Sequence, residues 1–127
     1  MFTDTKAYSG FAVDDLQQAR EFYGETLGLR ITVIDEQEGV MILHLAGDQD
    51  TFVYVKPDYV PATYTMLNFS VDDVDAAVDR LAERGVEFER YEGVEHDEKG
   101  ILRGGPGPTI AWFKDPAGNI LSVLRQQ

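Results

Sequence analysis

Residues 11–19 read F-A-V-D-D-L-Q-Q-A, and residues 69–77 read F-S-V-D-D-V-D-A-A. The two stretches share the frame F-x-V-D-D-[L/V]-x-x-A, one in each half of the 127-residue chain. Internal repeats have to be recognised before other patterns, because a missed repeat leads to the wrong fold. Two copies in a chain of this length predict a duplicated domain made of two similar halves rather than a solenoid.

Each copy predicts the same local structure. Alternating apolar residues open the copy, which is typical of a strand with one buried face. An Asp pair follows, and an Asp carboxylate at a helix start accepts hydrogen bonds from the free backbone N–H groups there. Apolar residues then recur at helical spacing, as at Leu16, Ala19 and Tyr23. We therefore expect a strand, an Asp-capped turn and a helix in both halves.

Turn signals extend each half to the order βαβββ. The predicted fold class is α+β, with duplicated βαβββ modules at about 5–56 and 63–127, joined by a linker at 57–62 in one domain. Each sheet would be covered by a helix on one face, so that the two sheets curve around a cleft. The predicted strands are 8–13, 30–34, 40–46, 51–55, 64–71, 86–91, 101–103, 110–114 and 120–125, and the predicted helices are 16–27, ending at Gly28, and 73–84, ending at Gly85. Residues 93–108 form a charged, Gly/Pro-rich excursion, and 115–119 (D-P-A-G-N) predict a hairpin turn.

Composition excludes several classes of protein. The net charge of −12 argues against nucleic acid as a partner, because phosphate binding needs clustered cations. The chain has no cysteine, which excludes disulfides and thiolate sites. No apolar run approaches the length of a membrane span, so we expect no membrane partner and a cytoplasmic protein. The acidic charge indicates either attraction for a cationic ligand or simple solubility, and we favour solubility.

Four stretches resemble the vicinal oxygen chelate superfamily, which includes glyoxalase I, extradiol dioxygenases, and fosfomycin- and bleomycin-resistance proteins. They are 11–19, 22–29 (F-Y-G-E-T-L-G-L), 69–77 and 113–119 (F-K-D-P-A-G-N). The resemblance implies a glyoxalase/bleomycin-resistance type of fold. It also implies chemistry at a divalent metal that His and Glu residues hold in the cleft. Fold alone does not establish function, so each site position has to be read separately.

None of the metal positions implied by the resemblance keeps its usual ligand. The first ligand position falls on Tyr8, its counterpart in the second half on Met66, and the carboxylate position of the last strand on Ser122. The matching strand of the first half offers Tyr54. Because these side chains are poor ligands for hard divalent metals, we expect no metal and no cofactor.

The chain has two histidines, His44 and His96. His44 lies in a predicted strand and is either a general base or a hydrogen-bonded, half-buried side chain, and we favour the second. Catalytic residues are otherwise unknown, with Tyr8 as the other candidate. His96 lies among carboxylates in the excursion. It is either a residue that closes over a ligand or part of a solvated turn, and we favour the turn.

Strand alternation predicts a ligand-binding face. Alternation places seven residues on the strand faces that carry the superfamily metal positions: Tyr8, Gly10, Tyr54, Met66, Asn68, Trp112 and Ser122. In the fosfomycin-resistance relatives, the position of Trp112 contacts substrate. An apolar face with a few polar groups suits a small-molecule pocket. The alternative is a filled second core, in which Asn68 and Ser122 would need hydrogen-bond partners.

The sequence favours a metal-free protein that binds a small organic ligand, such as a toxic or antibiotic compound that it sequesters. The resemblance to the bleomycin-resistance branch implies a cationic ligand and a homodimer. The alternative is a glyoxalase-like lyase, isomerase or dioxygenase with a displaced metal or a metal-free acid–base site. A third possibility is a module that binds a protein partner and no small ligand.

Overall fold

The computed structural model describes residues 1–104 and 106–126. These residues form two compact units that divide between Pro61 and Ala62. Each unit contains one sheet and one principal helix. The predicted α+β class is therefore confirmed.

The first unit contains a four-stranded sheet. Its elements are β1 (Ser9–Val13), α1 (Leu16–Glu21), a π-helical segment (Phe22–Thr26), β2 (Arg30–Asp35), β3 (Val40–Leu45) and β4 (Gln49–Val55). The strand order is β1-β4-β3-β2, with β1 parallel to β4 and the other pairs antiparallel. Fully buried side chains on one face are Val13, Met41, Leu43 and Val53. Tyr23 of the π-helical segment is also buried, and its ring lies 5.6 Å from that of Phe11.

The second Asp of each repeated pair caps a helix, as predicted. Asp15 Oδ1 accepts a hydrogen bond from the Gln18 N–H group at 2.9 Å. Asp73 Oδ1 accepts one from the Ala76 N–H group at 3.0 Å. Both Asp residues have extended backbone conformations, so the carboxylate folds back over the first helical turn.

The first helix is not a uniform α-helix over 16–27. Its regular α-helical part ends at Glu21, and the Leu27 N–H group donates to the Phe22 carbonyl at 2.9 Å, one residue further back than in an α-helix. Gly28 then adopts a φ of 73°, which favours glycine and ends the helix where predicted.

The second unit contains a three-stranded sheet with one helix against it. Its elements are β5 (Thr65–Ser70), α2 (Val74–Glu83), β6 (Thr109–Lys114) and β7 (Ile120–Arg125). The strand order is β5-β7-β6, with β5 parallel to β7 and β6 antiparallel to it. Helix α2 packs against β6 and β7. Its buried residues are Val74 and Val78, and the buried strand residues include Ala111, Phe113, Leu121 and Val123.

The predicted strand at 86–91 was wrong as a continuous element. Within the described residues it reduces to an isolated bridge between Phe88 and Phe113 and a hydrogen bond from the Glu89 N–H group to the Trp112 carbonyl at 2.8 Å. The backbone leaves the sheet edge here because Arg90 and the residues after it bond to the excursion. The Arg90 guanidinium donates to the carbonyls of Asp97 and Glu98 at 2.9 and 2.8 Å. The predicted strand at 101–103 similarly reduces to bridges made by Leu102.

Two Asp residues organise turns of the same kind in the second unit. Asp115 Oδ1 accepts hydrogen bonds from the N–H groups two and four residues later, at 3.0 and 2.8 Å. Asp97 Oδ1 does the same, at 2.9 and 2.8 Å. The third residue after each Asp is a glycine, Gly118 and Gly100, with φ values of 93° and 91°. The hairpin turn predicted at 115–119 is therefore present, and an equivalent turn orders part of the excursion.

Candidate functional site

Trp112, Ser122 and Asn68 lie side by side on one face of the second sheet. Trp112 pairs with Ser122 across β6 and β7, and Ser122 pairs with Asn68 across β7 and β5. The Ser122 hydroxyl donates a hydrogen bond to Asn68 Oδ1 at 2.5 Å. Ser122 is fully buried and satisfied by this bond, whereas Asn68 is exposed. The fixed carbonyl oxygen of Asn68 leaves its amide N–H groups pointing away from Ser122 and able to donate elsewhere.

The residues on either side of Trp112 face the opposite way. Ala111 and Phe113 are fully buried, and the Phe113 ring contacts that of Phe88 at 5.8 Å between centroids. Trp112 is only half-buried. Over 111–114 exposure therefore alternates as in a strand with one buried face, with Trp112 and Lys114 facing away from the core that contains Phe113. The face of Trp112 also carries buried residues, Ile110 on β6 and Ile120 and Ser122 on β7.

Two aromatic side chains pack against Trp112: Tyr91, which precedes the excursion, and His96, which lies within it. The Tyr91 ring meets the indole edge-to-face, with centroids 5.5 Å apart and an interplanar angle of 74°. The His96 imidazole does the same at 6.0 Å and 82°. The two flanking rings are 6.1 Å from each other. Edge-to-face contacts of this kind are favourable, so the three rings hold one another in place.

Backbone hydrogen bonds orient the His96 ring. Its Nε2 atom accepts from the Tyr91 N–H group at 2.9 Å, and its Nδ1 atom lies 2.8 Å from the Gly100 carbonyl oxygen. A carbonyl only accepts, so Nδ1 carries the proton and the ring is neutral in this arrangement. The preferred interpretation of His96 as part of a solvated turn was wrong. The side chain is half-buried because both of its nitrogen atoms bond to the folded excursion.

Tyr91 carries the unsatisfied polar atom of this region. Its hydroxyl oxygen is buried and has no hydrogen-bond partner among the described residues. Burial raises the pKa of the Tyr91 phenol, and the charge of Glu89 raises it further, so the hydroxyl stays protonated at neutral pH. A shallow groove of about 700 Å³ lies beside it, lined by Arg90, Tyr91, Glu92, Val94, Glu95 and His96. A buried hydroxyl without a partner among the protein groups is unusual.

The predicted site residues of the first half lie on the face of the first sheet away from its buried core. Gly10 pairs with Phe52, and Tyr54 pairs with Ala12, across β1 and β4. Tyr8 precedes β1, and its ring contacts that of Phe52 at 5.5 Å. Tyr8 and Tyr54 are both exposed. That these residues and the Trp112 face line one cleft stays a prediction.

Met66 does not follow the strand alternation from which its facing was predicted. Thr65 pairs with Ile120 and Leu67 with Leu121, so Met66 is an extra residue in β5. An extra residue of this kind is a β-bulge, and it interrupts the two-residue period. The predicted facing of Asn68 lies beyond the bulge and agrees with its hydrogen bond to Ser122.

His44 has two side-chain partners that the sequence did not identify. Its Nε2 atom lies 2.7 Å from Thr32 Oγ1, and its Nδ1 atom lies 3.1 Å from Asp50 Oδ1. The three residues come from the adjacent strands β2, β3 and β4. Strand alternation in the sequence could have suggested Thr32, because it lies on the same face of β2 as Arg30, the residue that the structure places opposite His44. No comparable signal placed Tyr91 against Trp112, since that contact depends on the path of the excursion.

The donor groups at the superfamily metal positions do not fit a divalent metal. In the first unit they are the phenols of Tyr8 and Tyr54, and in the second the thioether of Met66 and the hydroxyl of Ser122. The Ser122 hydroxyl already donates to Asn68 and is buried. Within 1–104 and 106–126, no three His, Asp or Glu side chains cluster closely enough to hold a metal ion. Phenol, thioether and neutral hydroxyl groups do not replace the imidazole and carboxylate ligands that such metals prefer.

Residues 7–123 match the family model of the Glyoxalase/Bleomycin resistance protein/Dioxygenase superfamily. Among solved structures, the chain is similar to TnmS3, an antibiotic binding protein from Streptomyces sp. CB03234, with 25% identity and a TM-score of 0.72 over 98% of this chain and 99% of that one. It is also similar to a glyoxalase/bleomycin resistance protein from the same strain, with 26% identity and a TM-score of 0.64 over 94% and 100%. Lactoylglutathione lyase from Agrobacterium tumefaciens shares the fold, with 19% identity and a TM-score of 0.69 over 97% and 95%.

No curated protein gives a significant match to the sequence. In the part of the chain that the structure describes, every helix is too short or too polar to span a bilayer.

Proposed function

Because this chain belongs to the Glyoxalase/Bleomycin resistance protein/Dioxygenase superfamily, we propose that it is a cytoplasmic protein that binds and sequesters a small organic compound without the superfamily's metal. The observation that carries the proposal is the half-buried Trp112, which lies on a strand face against the rings of Tyr91 and His96 and beside the Ser122–Asn68 pair. An indole on such a face offers a large contact area and loses little conformational entropy on binding.

Polar groups next to Trp112 supply the specific contacts in this proposal. The Asn68 amide donates to an acceptor on the ligand, and the Tyr91 hydroxyl gains the partner that the described residues do not provide. A ligand that satisfies a buried hydroxyl gains more than one that only covers the indole, because the hydroxyl has already lost its contact with water. Ligands with both a flat apolar part and a hydrogen-bonding group therefore fit best.

The charge of the region favours a cationic ligand. The groove beside Tyr91 carries the carboxylates of Glu92 and Glu95 against the single guanidinium of Arg90. The Arg90 N–H groups are already engaged by two backbone carbonyls. The faces of Trp112 and Tyr91 attract cations through their ring quadrupoles. The similarity to TnmS3, described as an antibiotic binding protein, supports a drug-like compound as the class of ligand.

Ligand affinity tests the proposal directly. Aromatic cations and neutral compounds of matched size are screened by thermal shift, and the tightest binder is titrated by calorimetry into the wild type and Trp112→Ala. We expect Trp112→Ala to weaken binding by about 1–4 kcal/mol, because it removes the aromatic contact surface. Tyr64→Ala is the matched control, since Tyr64 is an exposed aromatic residue of the same unit that precedes β5. Equal affinities of the wild type and Trp112→Ala would reject the site.

A double variant tests the ligand class. We expect the double substitution Glu92→Gln and Glu95→Gln to weaken binding of an aromatic cation and to leave binding of its neutral analogue unchanged. Equal effects on both compounds would argue against charge as the basis of selection.

The homodimer implied by the family resemblance belongs to the same proposal. Sedimentation equilibrium measures the molecular mass in solution directly. A mass near twice the 14.2 kDa of the chain is expected. A monomer at concentrations well above those used for binding would reject the dimer without affecting the test of Trp112.

A further inference from the structure

Three side chains on adjacent strands of the first sheet form a hydrogen-bonded series. Register places His44 opposite Asp50 across β3 and β4, and opposite Arg30 across β2 and β3. Thr32 lies two residues beyond Arg30 in β2 and so shares its face. Thr32 Oγ1 lies 2.7 Å from His44 Nε2, and His44 Nδ1 lies 3.1 Å from Asp50 Oδ1. Hydroxyl, imidazole and carboxylate are thus in series at hydrogen-bond distances.

The Asp50 carboxylate determines the direction of one of these bonds, and the direction of the other follows when the ring is neutral. An ionised carboxylate only accepts, so His44 Nδ1 carries a proton and donates it to Asp50. The Nε2 atom of the neutral ring then has a lone pair and accepts the Thr32 O–H group. This is the order in which an imidazole removes a proton from a hydroxyl while a carboxylate holds the ring in the correct tautomer.

The series opens onto solvent at the side of a groove. Thr32 is exposed, and the side chains of His44 and Asp50 keep 38% and 28% of their accessible surface. The groove has a volume of about 640 Å³, and its lining includes Leu29, Leu45, Ala46 and Asp48 together with the three residues of the series. A small molecule can therefore reach Thr32 Oγ1 without any rearrangement of the sheet.

Arg30 supplies a positive charge beside the hydroxyl. It lines the same groove, precedes Thr32 by two residues in β2 and therefore shares its face, and is paired with His44. Directly opposed residues in an antiparallel pair have Cβ atoms about 5 Å apart, which is within reach of a long side chain. Arg30 makes no ion pair or side-chain hydrogen bond with any residue in 1–104 or 106–126. Its guanidinium is free to stabilise an oxyanion formed at Thr32.

We propose that Thr32, His44 and Asp50 form a hydrolytic site that cleaves small neutral esters through an acyl-threonine intermediate. Thr32 Oγ1 forms a bond to the carbonyl carbon as His44 Nε2 takes the hydroxyl proton, and Arg30 stabilises the resulting oxyanion. The C–O bond to the leaving group then breaks, and the leaving alkoxide takes the proton from His44. Water attacks the acyl-threonine, its proton passes through His44 back to Thr32, and the products are one carboxylic acid and one alcohol.

The groove determines the class of substrate. Leu29, Leu45 and Ala46 provide apolar contact for a short acyl chain or an aryl group. The carboxylates of Asp48 and Asp50 face the same groove and disfavour a substrate with a negative charge. Neutral aryl and short-chain alkyl esters therefore fit better than anionic esters.

Hydrolysis of 4-nitrophenyl acetate tests the proposal. We expect saturable hydrolysis by the wild type, and a fall in kcat/KM of about a hundredfold in Thr32→Val and in His44→Gln, because each removes one part of the proton transfer. Thr32→Ser keeps the hydroxyl and should retain activity. Asp50→Asn should lower the rate of hydrolysis and change the pH at which that rate falls on acidification. Thr63→Val is the control for the loss of an exposed threonine hydroxyl outside the groove.

Mass spectrometry of the acid-quenched enzyme distinguishes this mechanism from direct attack by an imidazole. We expect the acetyl group on Thr32 in the wild type and none on that peptide in Thr32→Val. An acetyl group on His44, a Thr32→Val variant as active as the wild type, or hydrolysis that does not saturate would each overturn the proposal. Circular dichroism of Thr32→Val and Thr32→Ser establishes that both fold, since both substitutions are at an exposed strand position.

Discussion

Neighbouring residues of β6 have different roles because successive side chains of a strand point to opposite faces. Phe113 is fully buried and packs edge-on against Phe88, while Ala111 is buried on the same face. Trp112 between them is half-buried and contacts Tyr91 and His96 instead. Removal of the Phe113 ring would leave a cavity in a closed core. Removal of the Trp112 indole would leave a gap on a partly exposed face.

The stability of two variants tests this difference. We expect Phe113→Ala to lower the free energy of unfolding by about 3–5 kcal/mol, because it leaves a cavity in a packed core. Trp112→Ala should cost clearly less, since the indole is already partly exposed. Urea unfolding followed by far-ultraviolet circular dichroism measures both values. If Trp112→Ala were as destabilising as Phe113→Ala, Trp112 would belong to a filled second core and not to a binding face.

At the scale of elements, ion pairs attach the excursion to helix α2. Arg103 bonds through Nη2 to Asp75 of α2 and through Nε to Asp97 of the excursion, at 2.5 and 2.8 Å. Lys99 lies 3.5 Å from Asp75 and 3.0 Å from Asp79. All of these side chains are partly exposed, so each pair contributes little alone. Their common effect is to hold the segment that carries His96 against the rest of its unit.

The pKa shifts within this network predict how stability depends on pH. The hydrogen bond from Arg103 holds the pKa of Asp75 below its usual value of 3.8. For Asp97, desolvation opposes the shift, but bonds from Arg103 and from the N–H groups of Ile101 and Lys99 lower its pKa as well. A carboxyl with a lowered folded-state pKa stabilises the fold above its unfolded pKa. That contribution is lost as pH falls through the folded value.

We therefore expect the free energy of unfolding to fall as pH drops below about 4, and Arg103→Gln to make this fall shallower. Urea unfolding at a series of pH values between 7 and 2.5 measures the effect. Arg125→Gln removes an exposed arginine at the end of β7 and serves as the control. The same acid dependence in Arg103→Gln and the wild type would show that the network does not couple folding to these carboxyl groups.

At the scale of the whole molecule, the two units repeat a strand, an Asp-capped turn and a helix. The positions of the superfamily's metal ligands, however, do not carry metal-binding side chains. The positions equivalent to its ligands carry Tyr8, Tyr54, Met66 and Ser122. A function that depends on a divalent metal would need other residues to hold it. The groups that the structure brings together are aromatic rings around Trp112 and the polar series around His44.

Metal content tests this conclusion. Purified protein incubated with Zn, Ni, Mn or Fe and then desalted should retain far less than one equivalent of metal in elemental analysis, because the donor groups are poor ligands. A chelator should leave the melting temperature unchanged, since we expect no folding energy to depend on a metal. About one metal per chain, lost in Tyr8→Phe or Ser122→Ala, would contradict the prediction.

Local patterns in the sequence determined the elements that depend on nearby residues. The repeated Asp pairs capped both helices, Gly28 ended the first helix, and the D-P-A-G-N stretch formed its turn, because each rests on contacts within a few residues. Two-residue alternation likewise placed Trp112 opposite Phe113 and gave Asn68 and Ser122 a common face. These features depend only on local backbone geometry and on the alternation of apolar and polar residues, and both can be read from the sequence.

Only the tertiary structure decided how residues distant in sequence meet. Thr32 and Asp50 reach His44 because the register of three strands aligns them, and Tyr91 and His96 reach Trp112 because the excursion folds back on itself. The bulge at Met66 and the loss of the strand predicted at 86–91 have the same origin. In each case the local preference is weak, and competing long-range hydrogen bonds, such as those of Arg90 and His96, select the conformation.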